Sequence, residues 1–487
     1  METRPQNWFG RAILGGLLLL LGPSVFAQAL PPSSSAGWAK LPEILAHIKA
    51  PEFPKRDFLI TRYGAVGDGQ VACGPAIKAA ITACHAAGGG RVVVPAGNFL
   101  TGPIYLQSNV ELHLNTGATL SFSTEPADYL PLVATRWEGI DLLNYSPLVY
   151  AYQERNIAIT GEGILDGRAD ATHWWPWKGK PEYGWVAGTP NQLDPGSRPA
   201  LFAMSERNVP VAERRFGTGF YLRPQFIQPY QCENVLIEGI QIINSPMWIL
   251  HPVRCQNVTI RNVRVESDGP NTDGCDPESC RNVLIQDCYF NTGDDCIAIK
   301  SGRNADGRRL NIPSESIVIQ GCTMTNGHGG IVIGSEISGG VKNVFAENCR
   351  MSSPLLDRVL RIKTSSARGG TTDGVFVRNI SVGQVKQETV LITMFYEDAG
   401  PYLPAIRNIE VAHVRVEKGG QTGVVIEGYR QAPVANVRIS DLQIKEVARP
   451  YRLSNVTGLR WDQVVLNGQV VTQGQVEVGQ TEPKQHW

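Results

Sequence analysis

Apolar and polar residues alternate in short runs along most of this chain, and one nine-residue pattern recurs. "NVLIEGIQI" from Asn234, "NVTIRNVRV" from Asn257, "NVLIQDCYF" from Asn282 and "SIVIQGCTM" from Ser316 superpose without gaps. So do "NVFAENCRM" from Asn343, "GVFVRNISV" from Gly374, "NIEVAHVRV" from Asn408 and "NVRISDLQI" from Asn436. Offsets one, three, six and eight from the first residue are apolar in all eight copies, which start 23 to 34 residues apart. Period-two alternation, a bend and a second short alternation read as two strands. A repeat of this size marks a solenoid, in which equal offsets stack inward from coil to coil. The first residue is Asn in six copies, as suits a turn that takes a left-handed conformation or ladders its side-chain amide. A further strand follows in each coil ("CIAIKS", "GIVIGS", "VLRIKT", "TVLITMF", "GVVIEG"), and a weaker copy starts at Asn156. The pattern predicts an all-β fold, a right-handed parallel β-helix.

Upstream, Ile77, Ala80, Ile81 and Cys84 share one face of a predicted helix over Pro75 to Ala87. Such a helix suits the open apolar end of a solenoid, and Gly88 to Gly90 stop it. The segment from Arg168 to Arg223, rich in Trp, Pro and Gly, breaks the repeat and reads as loops projecting from the solenoid. The expected division is a lead segment over 28–56, a single β-helix domain over 57–470 with its insertion at about 168–223, and a polar tail over 471–487.

Arg4 and Arg11 precede the apolar run Ala12 to Gly22 and the small residues of "VFA", Val25 to Ala27. This is the pattern of a signal peptide over 1–27, and the run is too short to span a bilayer. A protein exported to a periplasm or to the outside follows, with no membrane in the mature form. Lys+Arg and Asp+Glu are both 45, so nothing global points to nucleic acid or an anionic membrane. Ten cysteines in an exported chain suggest disulfides. Yet Cys288, Cys322 and Cys349 share one offset, and Cys232, Cys255 and Cys280 another. Three in a stack cannot all pair, so most are expected as small core residues; Cys275 and Cys296 are the pair placed to bridge.

Charge gathers at one place. "NTGDDCIAIKSG" carries Asp294 and Asp295 at offsets 12 and 13 of its coil; His328 takes offset 12 one coil later, and Asp273 offset 16 one coil earlier. Arg361 and Lys363 follow two coils on. Coils stack at roughly 4.8 Å, so three carboxylates, a histidine and two cations converge on one lateral face. Alone, each has an ordinary reading: an Asp-Asp turn or calcium ligand, a surface histidine, a solvated Arg-x-Lys. Together they suit glycosidic cleavage, in which one acid protonates the leaving oxygen while a carboxylate activates water. Crowding separates the acids' pKa values, and Arg361 with Lys363 can hold a substrate carboxylate.

At these residues the chain resembles the polygalacturonases, glycoside hydrolase family 28. The family's ordered motifs are intact as Asn271-Thr272-Asp273, Gly293-Asp294-Asp295, Gly327-His328-Gly329 and Arg361-Ile362-Lys363. "YGAVGDG" from Tyr63 and "GEGILDG" from Gly161 look like its upstream landmarks, and the resemblance covers roughly residues 57 to 465. It implies hydrolysis of α-1,4-galacturonosidic bonds with inversion and without metal or other cofactor, on an acidic polysaccharide or oligogalacturonide. Carried onto this sequence, Asp294 is the general acid, Asp273 and Asp295 position and deprotonate the water, and His328 supports the acid's protonation state. Arg361, Lys363 and Tyr396 bind substrate, and Asn271 orients the site. "RPQF" from Arg223 and "GSEISGG" from Gly334 look like the bacterial and plant branch with exo-acting members, and the 168–223 insertion is placed to wall off one end. Inversion does not follow from the adjacency of Asp294 and Asp295 and rests on the resemblance. The rival readings are an endo-acting polygalacturonase, a rhamnogalacturonan hydrolase, a calcium-dependent pectate lyase using Asp273, Asp276, Asp294 and Asp295, and a non-catalytic sugar-binding solenoid.

Overall fold

The computed structural model describes residues 36–472; the signal peptide expected over 1–27 and nearly all of the polar tail lie outside them. The chain is a right-handed parallel β-helix whose coils present three faces. The first face carries the repeat's leading strands, among them Glu233–Glu238, Gln256–Arg261, Arg281–Gln286 and Ser314–Gln320, paired in parallel. The second carries the short strands after the bend, such as Gln241–Ile243, Arg264–Ser267 and Tyr289–Thr292. The third runs through Ile227–Tyr230, then the bridged residues Leu250 and Cys275, to Ile297–Ile299, Ile331–Ile333, Leu360–Lys363 and Glu388–Thr393.

The repeat's turn chemistry explains the corners. Every leading residue, from Asn234 (φ 56°) to Asn436 (φ 55°), is left-handed, Ser316 and Gly374 included. The bend at offset five is left-handed in all eight copies as well, and carries only Gly, Asn, Asp or His: Gly239, Asn262, Asp287, Gly321, Asn348, Asn379, His413 and Asp441. These are the residues that tolerate that region. Leading asparagines also ladder: Asn156 donates to Asn109, Asn234 to Asn156 and Asn257 to Asn234, at 2.9, 2.9 and 3.0 Å.

Inside, the stacked apolar offsets form one continuous core. All ten cysteines are buried and unpaired, Cys275 and Cys296 included. The backbone N–H of Cys232 faces the Cys255 sulfur, and that of Cys255 the Cys280 sulfur. The helix Gly74–Ala86 buries Ile77, Ala80, Ile81 and Cys84 over the first coil. At the other end the antiparallel strand Gln469–Val471 pairs with Val464–Leu466.

Three features lie outside the repeat. The helix Leu41–His47, with Trp38, covers an outward apolar stripe of the first face made by Leu284, Val318, Phe345 and Phe376. The insertion holds the helix Arg198–Glu206 rather than loops alone. Its Leu201 and Phe216 pack with Trp137, Ile140 and Leu142 of an antiparallel hairpin, Val133–Trp137 with Ile140–Asn144. Buried ion pairs tie this assembly to the third face: Arg136 to Glu278 at 2.6 Å, and Arg214 to Asp306, on the helix Asn304–Leu310, at 2.5 Å. Among the described residues no helix is long and apolar enough to cross a membrane.

Candidate active site

The charged residues singled out above meet where the chain enters the strands of the third face. Counting back from the bridged pair Cys275 and Ile297 puts Asp273 in register with Asp295, and Thr272 with Asp294. The next coil adds His328 beside Asp294, since Ile331 pairs with Ile297. Asp273 stands three offsets late in the linear count only because its coil has a longer turn.

Close backbone approach fixes these positions. Gly293 lies so near the previous coil that a Cβ there would meet the Gly269 carbonyl at 2.2 Å, and its N–H donates to Ser267 O at 3.0 Å. A Cβ on Gly327, beside His328, would meet Asp294 O at 2.3 Å. The glycines of both motifs therefore let two acidic turns nest coil on coil.

Asp273, Asp294 and Asp295 each offer an oxygen within 4.8 Å of the others. Asp295 is fully buried; Lys363 donates to its Oδ2 at 2.7 Å and Arg361 to its Oδ1 at 3.3 Å. Lys300 lies 3.4 Å from Asp273 Oδ2, 3.6 Å from Asp276 and 3.3 Å from Glu336, and stacks over Trp248. Of the three carboxylates only Asp294 opens to solvent, with 19% of its side chain exposed against 3% and 0% for Asp273 and Asp295. His328 Nδ1 lies 2.9 Å from Asp294 Oδ1, and Asn271 Nδ2 is 3.5 Å from Asp294 Oδ2. The Tyr396 ring lies 4.9 Å from Lys363 Nζ and 5.4 Å from the Arg361 guanidinium.

Crowding separates the acids. Burial, then the adjacent Asp294 charge, pushes Asp273 up to about 8. Burial also opposes ionisation of Asp294, but the His328 charge and hydrogen bond outweigh it and hold Asp294 well below the usual carboxylate range. Lys363 and Arg361 do the same for Asp295 against its burial. The Asp294 charge and hydrogen bond in turn raise His328 to about 9. The site thus holds protons on Asp273 and His328, next to an ionised and accessible Asp294.

The three carboxylates could in principle hold a cation. Their oxygens are already neutralised by protein charge, however: both oxygens of Asp295 are taken by Lys363 and Arg361, and Lys300 lies against Asp273. That donor set fits buried ion pairs better than a calcium shell.

All eight residues expected from sequence lie in this cluster. Reading the sequence missed Lys300 and Glu336 as neighbours of the acids, although "CIAIKS" and "GSEISGG" contain them. It also missed Lys178 and Arg223. Lys178 Nζ donates to Asn271 Oδ1 at 2.7 Å and Arg223 to the same oxygen at 2.9 Å. Trp175 packs on Gly269, so the insertion borders the site directly.

Comparison with known proteins identifies the family. Residues 218–464 match the family model described as glycosyl hydrolases family 28. An exopolygalacturonase of Thermotoga maritima superposes with a TM-score of 0.87 at 47% identity, over 89% of this chain and 97% of that one. A probable polygalacturonase of Vitis vinifera is 27% identical over 82% of this chain and 77% of its own length. An exo-poly-alpha-D-galacturonosidase of Dickeya chrysanthemi is 29% identical over 70% of this chain and 57% of its own.

Proposed function

This chain belongs to family 28 of the glycosyl hydrolases, and from that premise we propose that it hydrolyses the α-1,4-galacturonosidic bonds of polygalacturonate, releasing galacturonate units from a chain end. The observation that carries the reading is the division of labour among the three acids. Asp294 alone is open to a glycosidic oxygen, whereas Asp273 and Asp295 are held behind it by Lys300, Lys363 and Arg361. Asp294 is the general acid. Its proton rests on His328 across the 2.9 Å contact until a sugar excludes water and favours the neutral pair. Asp273 and Asp295 position the water, and Asp295, held ionised by Lys363 and Arg361, takes its proton. Arg361 and Lys363, beside Tyr396, take the galacturonate carboxylate next to the scissile bond, and Asn271 orients the acid.

Exo action is supported by the insertion, which packs Trp175 on Gly269 and brings Lys178 against Asn271. A long polymer would have to pass through that wall. Incubation with polygalacturonate and EDTA, with products resolved over time and viscosity followed, tests both points. Monomer or dimer accumulating from the start with little viscosity loss is expected. A rapid viscosity drop with a ladder of oligomers would make the enzyme endo-acting, and abolition by EDTA would favour a lyase.

Inversion is carried from the resemblance. The closest carboxylate oxygens lie within 4.8 Å, tighter than the roughly 6.5–9.5 Å usual between inverting pairs. Proton NMR of the first product settles the outcome: the β-anomer appears first on inversion, the α-anomer on retention.

A further inference from the structure

Cations crowd this site, and nearly all have a carboxylate. Lys300 and Arg303 pair with Glu336 at 3.3 and 3.0 Å, and Lys363 and Arg361 with Asp295 at 2.7 and 3.3 Å. Lys178 and Arg223 are different: among the described residues neither makes an ion pair. Arg223 is fully buried and donates to Pro246 O, Pro270 O, Gln192 Oε1 and Asn271 Oδ1, with its Nε unpartnered. Lys178 Nζ has one hydrogen-bond partner, Asn271 Oδ1, and two N–H groups to spare. Burial, then the Arg223 charge, brings Lys178 down to about 8, and burial brings Arg223 down to about 10. Two like charges withdrawn from water and sharing one amide oxygen are unfavourable until an anion joins them.

Position says which anion. Asn271 lies between Lys178, at 2.7 Å, and Asp294, at 3.5 Å. Arg361 and Lys363 sit two coils further along the solenoid, on the other side of the acid. We propose that Lys178, backed by Arg223, is a second carboxylate-binding site, which holds the acid group of the sugar on the insertion side of the scissile bond. This rests on the hydrolase reading above and deepens it. Each sugar flanking the bond then has its own cation pair, and the insertion that blocks the chain's passage also requires the terminal unit to be a uronate. A terminal galactose, or a terminal galacturonate methyl ester, would leave the two cations uncompensated.

The test combines kinetics with binding. On trigalacturonate, K178Q is expected to lose at least about tenfold in kcat/KM, the scale of one charge-assisted contact, chiefly through KM, and K178R to recover most of it. Calorimetry on the wild-type protein should show binding of D-galacturonate but not of D-galactose, with K178Q losing the galacturonate signal. K178Q within about twofold of wild type, or equal binding of the two sugars by the wild type, would overturn the proposal. K178R behaving like K178Q while galacturonate still binds would reduce Lys178 to a prop for Asn271. Should K178Q not fold, K178M is carried through the same two assays, because Arg361 and Lys363 also favour the acid sugar in the wild type. The binding arm needs no turnover, so an inactive wild-type protein whose discrimination of the two sugars is lost in K178Q would count against the proposed reaction and not against this site.

Discussion

The first and third faces of this solenoid use the same coil spacing in opposite ways. On the first face one residue recurs: Asn109, Asn156, Asn234 and Asn257 pass a single amide hydrogen bond from coil to coil. On the third face no residue runs through three successive coils of the site. Thr272, Asp294 and His328 succeed one another, beside Asp273, Asp295 and Gly329. A neutral amide can be repeated because each copy both donates and accepts. A carboxylate repeats only at a cost, since neighbours one coil apart repel: Asp273 stacks on Asp295 with its pKa pushed up, and both are interleaved with cations from other coils, Lys300 on Asp273 and Lys363 with Arg361 on Asp295. Repetition builds the scaffold; its suspension builds the site.

The contrast breaks most sharply at Asp294. Asp294→Asn is expected to lower turnover of polygalacturonate by about 10²- to 10⁴-fold, the range for a positioned general acid. Its melting temperature should hardly move, because one charge leaves a crowded cluster and the lost partner, His328, is half exposed. Asp295→Asn removes the water-binding carboxylate and also strands Lys363 and Arg361, each only 6% exposed. Activity should fall by a similar factor, and stability by up to about 3–5 kcal/mol, since breaking a buried pair leaves charge uncompensated. Denaturant unfolding alongside galacturonate release separates the two variants; equal stability losses would show that the acids are not divided as described.

The scaffold was legible in the sequence because it repeats. Eight copies of one pattern located the inward offsets, and the stacked cysteines pointed to core residues rather than bridges. The site was legible through intact motifs, although the linear count put Asp273 three offsets from Asp295 when the two are in register. What escaped has one physical cause: it is not periodic. Lys178 and Arg223 reach Asn271 through an insertion whose path no offset predicts. The hairpin Val133–Trp137 with Ile140–Asn144 and the helix Asn304–Leu310 are likewise excursions, held by buried ion pairs, Arg136 of the hairpin to Glu278 and Asp306 of the helix to Arg214. The bend itself was legible, but its left-handed conformation, periodic and visible as Gly, Asn, Asp or His at offset five in every copy, was not read from the apolar offsets and the leading Asn.

A smaller effect tests the first face. Asn234 donates to Asn156, accepts from Asn257, and sits at φ 56°. Asn234→Gly keeps the backbone conformation and loses the ladder, for about 1 kcal/mol. Asn234→Ala adds the left-handed strain of a Cβ, a further 1–2 kcal/mol or so. Neither should change kcat, because no ladder residue touches the acids. If the two variants were equally stable, the amide ladder rather than the turn would be what selects asparagine there.

The smallest effect returns to the third face and depends on pH. Asp294 raises His328 from its ordinary 6.5 to about 9 in the folded protein. A raised histidine contributes stability that is complete below the unfolded value and lost as pH rises through the folded one. The advantage of the wild-type protein over His328→Gln should therefore be full below pH 6.5 and gone above about 9. It should also be modest, because solvent screens a half-exposed ring. Melting curves of both proteins across that window check it. A constant difference would mean that His328 is neutral beside Asp294, and the general acid would then have to draw its proton from a group other than His328.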